Sequence, residues 1–212
     1  MVSVFFQDAG KEKLSYAGEA AHIRDWRHAR SSAMNVSNIY PAPYLAYLSE
    51  YHGSRDYFEC HEIMEEYWKE RTGDPYSGCW LVFIRIAVAC YHARRSNWSG
   101  ALKMLNKAAA EIEPERMDEL GLDGRRLSAM VHERAAEWAD EDNRSYSDLD
   151  FPFADSSLEE ECKRICERKG WKWRRDDHLS EDDLVHRHSR RDRSDVIEAR
   201  QIAAAAKSQS RS

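Results

Sequence analysis

The sequence lacks the features that mark secreted and membrane-spanning proteins. Its five cysteines are an odd number and include no Cys-x-x-Cys pair, so a disulfide framework is not expected. No apolar run reaches the roughly twenty residues that span a bilayer, and the longest, residues 79–91, contains Arg85. The first residues, MVSVFFQDAGKEK, lack the basic and apolar regions of a secretory signal. We therefore expect a cytoplasmic protein with reduced thiols and no contact with a membrane.

The sequence also lacks an excess of positive charge. It contains 32 lysines and arginines against 38 aspartates and glutamates, which gives a formal net charge of -6. Because nucleic-acid phosphates attract basic surfaces, this balance argues against a nucleic-acid partner. Hydrophobic residues make up 42% of the chain, with seven tryptophans and ten tyrosines, which is enough for a sizeable core. A chain of this length and composition predicts one globular domain with terminal extensions.

The apolar pattern divides the chain into a central domain and two extensions. Residues 1–43 have few aliphatic side chains and no sustained apolar face, which predicts a flexible N-terminal extension. An alternative is that translation starts at Met34 and that residues 1–33 are an annotation artefact. Residues 174–212 are charged and contain no aromatic residue, which predicts a disordered tail. We expect the folded domain to cover residues 44–173.

Helical periodicity runs through the central domain and predicts an all-α, compact helical bundle of five to six helices. The expected helices cover about 44–51, 56–69, 79–95, 98–113, 124–140 and 157–169. The third is apolar on nearly every side, which is typical of a helix in the middle of a bundle. Residues 146–153, YSDLDFPF, are expected to be extended and anchored by aromatic side chains.

The second expected helix, YFECHEIMEEYWKE, carries the first candidates for chemistry. His61 and Glu65 are one turn apart, and Glu62 lies beside Glu65. The simpler interpretation is a buried histidine that is hydrogen-bonded to a carboxylate. The alternative is a divalent-metal site with His61 and Glu65 as ligands, because imidazole and carboxylate at this spacing can bind one cation. The more diagnostic HExxH motif is absent, so the first interpretation is preferred.

The third expected helix adds two ionisable residues, Arg85 and His92, which are two turns apart and so project from the same side. A guanidinium keeps its proton, so a buried Arg85 requires a carboxylate, and we expect Glu62 or Glu65 of the neighbouring antiparallel helix to supply it. The resulting polar cluster contains His61, Glu62, Glu65, Arg85 and His92. It fits a structural network that fixes helix register, which we prefer, or a small anion-binding or acid–base site.

These stretches resemble a known family. DYFECHEIMEEYWKE, the apolar helix ending in IAVACYHARR, and the following SNWSGALKML are similar to the bacterial and archaeal family catalogued as domain of unknown function (DUF) 309. The resemblance covers about residues 44–112 and implies a small helical bundle without an established activity. The matching residues are Phe58, His61, Glu62, Glu65, Trp68, Tyr91, His92, Arg95, Asn97 and Ala101. For Phe58, Trp68, Tyr91 and Asn97 we expect a packing role.

The chain departs from the family pattern at three positions. The family usually has glutamine where Arg85 stands, and glycine where Val82 and Ser96 stand. An arginine in place of a neutral amide adds a charge to the polar site and strengthens the expectation of a carboxylate partner.

Two classes of function remain open at this point. The first is a protein-interaction or regulatory module, because SNWSGALKMLNKAAAEI is similar to the second half of a tetratricopeptide repeat. The second is a ligand-binding protein or enzyme that uses the HExxE cluster, either with or without a divalent metal as its cofactor. The sequence identifies no reaction and slightly favours the first class, with another protein as the expected partner.

Overall fold

A computed structural model describes Val36, residues 39–176 and Val185. The described residues form seven helices: α1 (Ala42–His52), α2 (Tyr57–Glu70), α3 (Ser77–Ala93), α4 (Trp98–Glu111), α5 (Pro114–Glu119), α6 (Gly124–Ala139) and α7 (Ser156–Arg168). They include no β-strand and only one isolated bridge, between Leu122 and Phe153. The prediction of an all-α helical bundle is confirmed. The count of five to six helices missed the short α5, which begins at Pro114, because that proline was expected only to end the preceding helix.

At both ends, residues just outside the expected domain contact the bundle. Tyr40 is buried and donates a hydrogen bond from its hydroxyl to Asp155 at 2.7 Å. At the other end, the backbone N–H of Arg174 donates to the carbonyl of His52 at 2.7 Å, so contacts continue past Trp173. The remaining parts of the expected extensions, residues 1–35, 37–38, 177–184 and 186–212, lie outside the described residues, and so does the proposed start at Met34.

Local sequence signals set where the helices begin. The side chains of Asp56, Asn97, Asp123 and Asp155 accept hydrogen bonds from backbone N–H groups in the first turns of α2, α4, α6 and α7. Such N-caps satisfy donors that have no partner within the helix. Prolines occupy the first turns of α1 and α5, where the missing N–H has no cost. These signals explain why helix positions followed closely from the sequence.

The helix α3 lies in the middle of the bundle, where it packs against both α2 and α4. Its Phe83 side chain is fully buried in an aromatic core, with ring centroids 5.4 Å from Tyr44, 5.4 Å from Tyr47 and 5.7 Å from Phe151. The Tyr47 hydroxyl donates a hydrogen bond to the Phe83 carbonyl at 2.8 Å, so the Tyr47 side chain is buried with its hydroxyl hydrogen-bonded. The described helices include none with the length and apolar character needed to cross a bilayer.

Residues 146–153, which the sequence predicted as an extended segment with aromatic anchors, form neither helix nor strand and lie against α1; we call them the extended segment. Leu149 and Phe151 are buried, and the Tyr51 hydroxyl donates to the Leu149 carbonyl at 3.0 Å. The Phe151 backbone N–H donates to Nε2 of His52 at 3.0 Å. The extended segment therefore contributes an aromatic side chain to the core and is fastened to the last turn of α1.

Candidate functional site

One side of α2 is buried and the other carries mainly carboxylates. The buried side consists of Tyr57, Cys60, Met64 and Tyr67. The outward positions line a shallow depression and are Glu59, Glu62, Ile63, Glu65, Glu66 and Lys69. We call these six residues the acidic face of α2. With four carboxylates and one cation, this surface has a negative electrostatic potential.

The three polar residues predicted on α2 do come together at the edge of the acidic face. The His61 side chain is 13% exposed, and its Nδ1 lies 3.0 Å from Glu62 Oε1 while its Nε2 lies 3.8 Å from Glu65 Oε2. His61, Glu62 and Glu65 can each offer one ligand atom, and these atoms lie within 4.8 Å of one another. Lys69 Nζ lies 3.2 Å from Glu65 Oε1 and would compete with a cation for this carboxylate.

Arg85 does not join this group. The guanidinium, which is 7% exposed, forms its ion pair with Glu111 of α4, whose carboxylate is 46% exposed. The prediction that Glu62 or Glu65 pairs with Arg85 is therefore wrong. The reasoning that a buried arginine requires a carboxylate holds, but the carboxylate comes from the helix on the other side of α3.

The orientation of α3 explains this difference. The Tyr91 ring lies 6.0 Å from the Phe58 ring of α2, so the side of α3 that carries Tyr91 faces α2. Ile84 is two turns earlier on that side. Arg85 follows Ile84 by one residue and is therefore rotated by about 100° around the helix axis. That rotation directs it away from α2 and toward α4.

His92 belongs to the connection between α3 and α4. Its Nδ1 lies 3.0 Å from the side-chain nitrogen of Asn97, and because an amide nitrogen only donates, Nδ1 is the acceptor. The Asn97 side chain also accepts from the Gly100 backbone N–H at 3.2 Å and so caps α4. Between them, Ser96 has a φ of 58°, a left-handed conformation that glycine adopts without strain. The five expected cluster residues thus divide among three separate places.

Three other residues matched by the resemblance, Phe58, Trp68 and Tyr91, connect α2 to α3. Trp68 Nε1 donates to Ser77 Oγ at 2.8 Å and joins the end of α2 to the start of α3. Phe58 contacts both the His61 ring, at 6.4 Å, and Tyr91. These contacts hold His61 against the α2–α3 interface while leaving Glu62 at the surface.

A second polar cluster, centred on Arg55, was not found from the sequence. Arg55 is 1% exposed and has a φ of 60°. Its Nη2 lies 2.7 Å from Asp150 and its Nε 3.7 Å from Asp148. Its guanidinium also donates to the backbone carbonyls of Tyr51 and Arg175, at 3.3 Å and 3.2 Å. One side chain thus links α1, the extended segment and the chain that follows α7.

Two tyrosines complete this second cluster. The hydroxyls of Tyr57 and Tyr146 donate to the same oxygen of Asp148, at 2.9 Å and 2.6 Å. Burial raises the pKa of both phenols, so they stay protonated and act as donors. The only sequence signal was the presence of two aspartates in an otherwise apolar and aromatic stretch. The arginine, aspartates and tyrosines of this cluster bond to one another and join separate parts of the chain, which is typical of a structural network.

The five cysteines offer no nucleophile at neutral pH. All are buried and unpaired. Burial raises the pKa of Cys90 to about 11 and that of Cys79 and Cys162 to about 12. Because the thiolate is the reactive form, these side chains serve as packing groups.

Comparison with known proteins covers the part of the chain that builds the acidic face. The family described as "Domain of unknown function (DUF309)" matches residues 44–104. The "Uncharacterized protein YpuF" of Bacillus subtilis (strain 168) is 40% identical over 168 residues, which are 77% of this chain and 94% of the relative. The chain belongs to the DUF309 family. No solved structure matches it.

The DUF309 match contains all of the α2 cluster but only the Arg55 and Tyr57 part of the second cluster. The match includes most of α1, all of α2 and α3 and the first half of α4, and with them His61, Glu62 and Glu65. Glu111, Asp148 and Asp150 lie beyond its last residue. The resemblance expected from the sequence is confirmed, and the match includes the whole acidic face of α2.

Proposed function

We propose that this DUF309 protein is a protein-interaction module and that the acidic face of α2 is its contact surface. The supporting observation is the arrangement of four glutamates around Ile63, which is only partly buried, on one side of a single helix. A matching partner segment would carry lysine or arginine side chains around one apolar side chain. Charge complementarity of this kind favours rapid association and fixes the orientation of the partner.

The packing of α2 supports this proposal. Tyr57, Cys60 and Met64 on its inward side are fully buried, and Asp56 caps its first turn. A helix held in this way offers its outward side chains on a fixed backbone. Binding at this surface therefore costs less free energy for ordering the backbone than binding at a mobile surface would.

The test reverses charge on the acidic face without touching His61, Glu62 or Glu65. The double variant Glu59→Lys/Glu66→Lys changes the two glutamates that flank Ile63. Affinity capture from the native organism, with identification of bound proteins by mass spectrometry, compares this variant with the unchanged protein. We expect one or more partners with a basic segment to be recovered by the unchanged protein and lost by the variant.

A matched control makes the same change in charge elsewhere. Glu133 of α6 and Glu160 of α7 are both exposed, so Glu133→Lys/Glu160→Lys alters the total charge but leaves α2 intact. This control should retain the partners. If both double variants lose the same proteins, or neither loses any, the acidic face is not the contact surface.

We propose a divalent-metal site as a second candidate function, supported by the convergence of His61, Glu62 and Glu65 ligand atoms within 4.8 Å. One imidazole and two carboxylates suit a divalent cation such as Zn²⁺ or Mn²⁺ and would leave coordination positions open for a ligand. Titration calorimetry with each metal should show one site per chain that His61→Ala removes. The control is His132→Ala, because His132 is exposed on α6. Equal binding by the His61 variant would exclude this site.

We also propose the cytoplasm as the location of the protein. The five buried, unpaired cysteines support this proposal, because an oxidising compartment favours disulfide formation. Fractionation of native cells with detection of the protein tests it, and recovery outside the cytoplasm would contradict it.

A further inference from the structure

His52, in the last turn of α1, is a fully buried histidine at the junction of three parts of the chain. Its ring stacks on Trp173, with centroids 4.9 Å apart, and meets the edge of Phe151 at 5.3 Å. Its carbonyl accepts the backbone N–H of Arg174. His52 is therefore in contact with both the extended segment and the chain that follows α7.

The hydrogen bonds of His52 fix its protonation state. Nδ1 lies 2.9 Å from the Leu48 carbonyl, and because a carbonyl only accepts, Nδ1 carries the proton. The Phe151 N–H donates to Nε2, so Nε2 is unprotonated. The ring is neutral in this arrangement. A second proton, on Nε2, would face the Phe151 N–H and replace a hydrogen bond with a donor–donor contact.

The surroundings of His52 disfavour a positive charge. The charged groups that face it are Arg55 between α1 and α2, Asp150 of the extended segment and Arg174 after α7. From α7 itself, Glu159 lies 3.7 Å from Arg174. Burial is the main reason why the pKa of His52 is lowered to about 3, and the Arg55 guanidinium is the next. The attraction of Asp150 is outweighed.

The attachment of residues 147–151 depends largely on side chains. Arg134 donates to the Ser147 carbonyl, Tyr51 to the Leu149 carbonyl and Arg174 to the Phe151 carbonyl. Detachment of these residues would break no hydrogen bond within any helix.

We propose that His52 is an acid-sensitive latch whose protonation releases residues 147–151 and 171–174 from the end of α1. The released state exposes the imidazole to water, where it titrates near its ordinary pKa of about 6.5. Only the released state binds the proton between about pH 6.5 and 3, so acidification in this range favours release. The latch is closed above about pH 6.5 and weakens with each pH unit of acidification between about 6.5 and 3.

Hydrogen exchange of the full-length chain tests the latch. Amide protection is measured between pH 7 and pH 4.5 and corrected for the intrinsic pH dependence of exchange. We expect protection of the Phe151 amide to fall about tenfold per pH unit below about 6.5. Protection at residues 84–89 of α3 should stay constant. Parallel loss in α3 would mean global unfolding and would overturn the proposal.

Two variants separate His52 from other groups that titrate. In His52→Gln the side-chain oxygen can accept the Phe151 N–H without titrating, so the pH dependence should disappear. His132→Gln changes an exposed histidine and should keep it. If His52→Gln does not fold, an NMR titration of the unchanged protein decides the matter. An imidazole that stays neutral below pH 5 supports the latch, and one that titrates near 6.5 in the closed state overturns it.

Discussion

At the scale of single residues, burial determines that a charged group needs a partner. The position of the residue around the helix axis determines which partner it meets. Arg85 lies almost fully buried on α3, and its carboxylate comes from α4. Spacing along the sequence placed Arg85 and Glu65 at the same height, because the turn between α2 and α3 is short. It could not determine which of two neighbouring helices a residue on the central helix faces. A side chain one position earlier, at Ile84, lies on the side of α3 that faces α2.

We predict energetic coupling between Arg85 and Glu111. The variants Arg85→Met, Glu111→Ala and their double should be compared by urea unfolding. Because Glu111 is about half exposed, the coupling should be about 0.5–1 kcal/mol, as for other partly solvated ion pairs.

The corresponding cycle between Arg85→Met and Glu65→Ala provides the control. Its two effects should add within a few tenths of a kcal/mol, because the residues do not share a contact. Coupling in this second cycle and additivity in the first would contradict the geometry described above.

At the scale of elements, the helices were predicted well because their signals are local. Apolar periodicity and N-cap residues act over a few positions, and both are visible in a single sequence. The connection between α3 and α4 is an example of such local contacts, since Asn97 caps α4 and also donates a hydrogen bond to His92, five residues earlier. The short α5 was missed because proline both ends helices and begins them.

We predict that Asn97→Ala lowers the free energy of unfolding by about 1 kcal/mol, because α4 loses its N-cap. Asn97→Asp keeps an acceptor for the Gly100 N–H but loses the donor to His92, so its effect should be smaller. Denaturant unfolding measures both. Equal stability of the alanine variant and the unchanged protein would mean that the cap has no energetic role.

At the scale of the whole molecule, the contacts that the sequence did not predict are those between distant positions. Phe151 and His52 are 99 residues apart, and nothing in the local pattern of either indicates the other. The aromatic character of residues 146–153 did predict an anchored segment. Its docking site on α1, and the pairing of Arg55 with Asp148 and Asp150, depend on how the helices pack and so were not predictable from periodicity.

We predict that Phe151→Ala destabilises the protein by about 3–5 kcal/mol, as expected for a fully buried aromatic ring whose loss leaves a cavity. Phe153→Ala is the matched control, because Phe153 is only partly buried and should have a smaller effect. Thermal and denaturant unfolding measure both. A small effect at Phe151 would show that the extended segment is not part of the core.

Within the described residues, the bundle presents the acidic face of α2, and the central claim is that this face contacts another protein. Photo-crosslinking in native cells tests it most directly, with Ile63 replaced by p-benzoylphenylalanine. Met130, which is also partly buried and lies on α6, is replaced in the same way as a control. The account predicts a discrete crosslinked protein from position 63, absent from position 130 and lost in the Glu59→Lys/Glu66→Lys background. No adduct at position 63, or the same adduct from both positions, would contradict it.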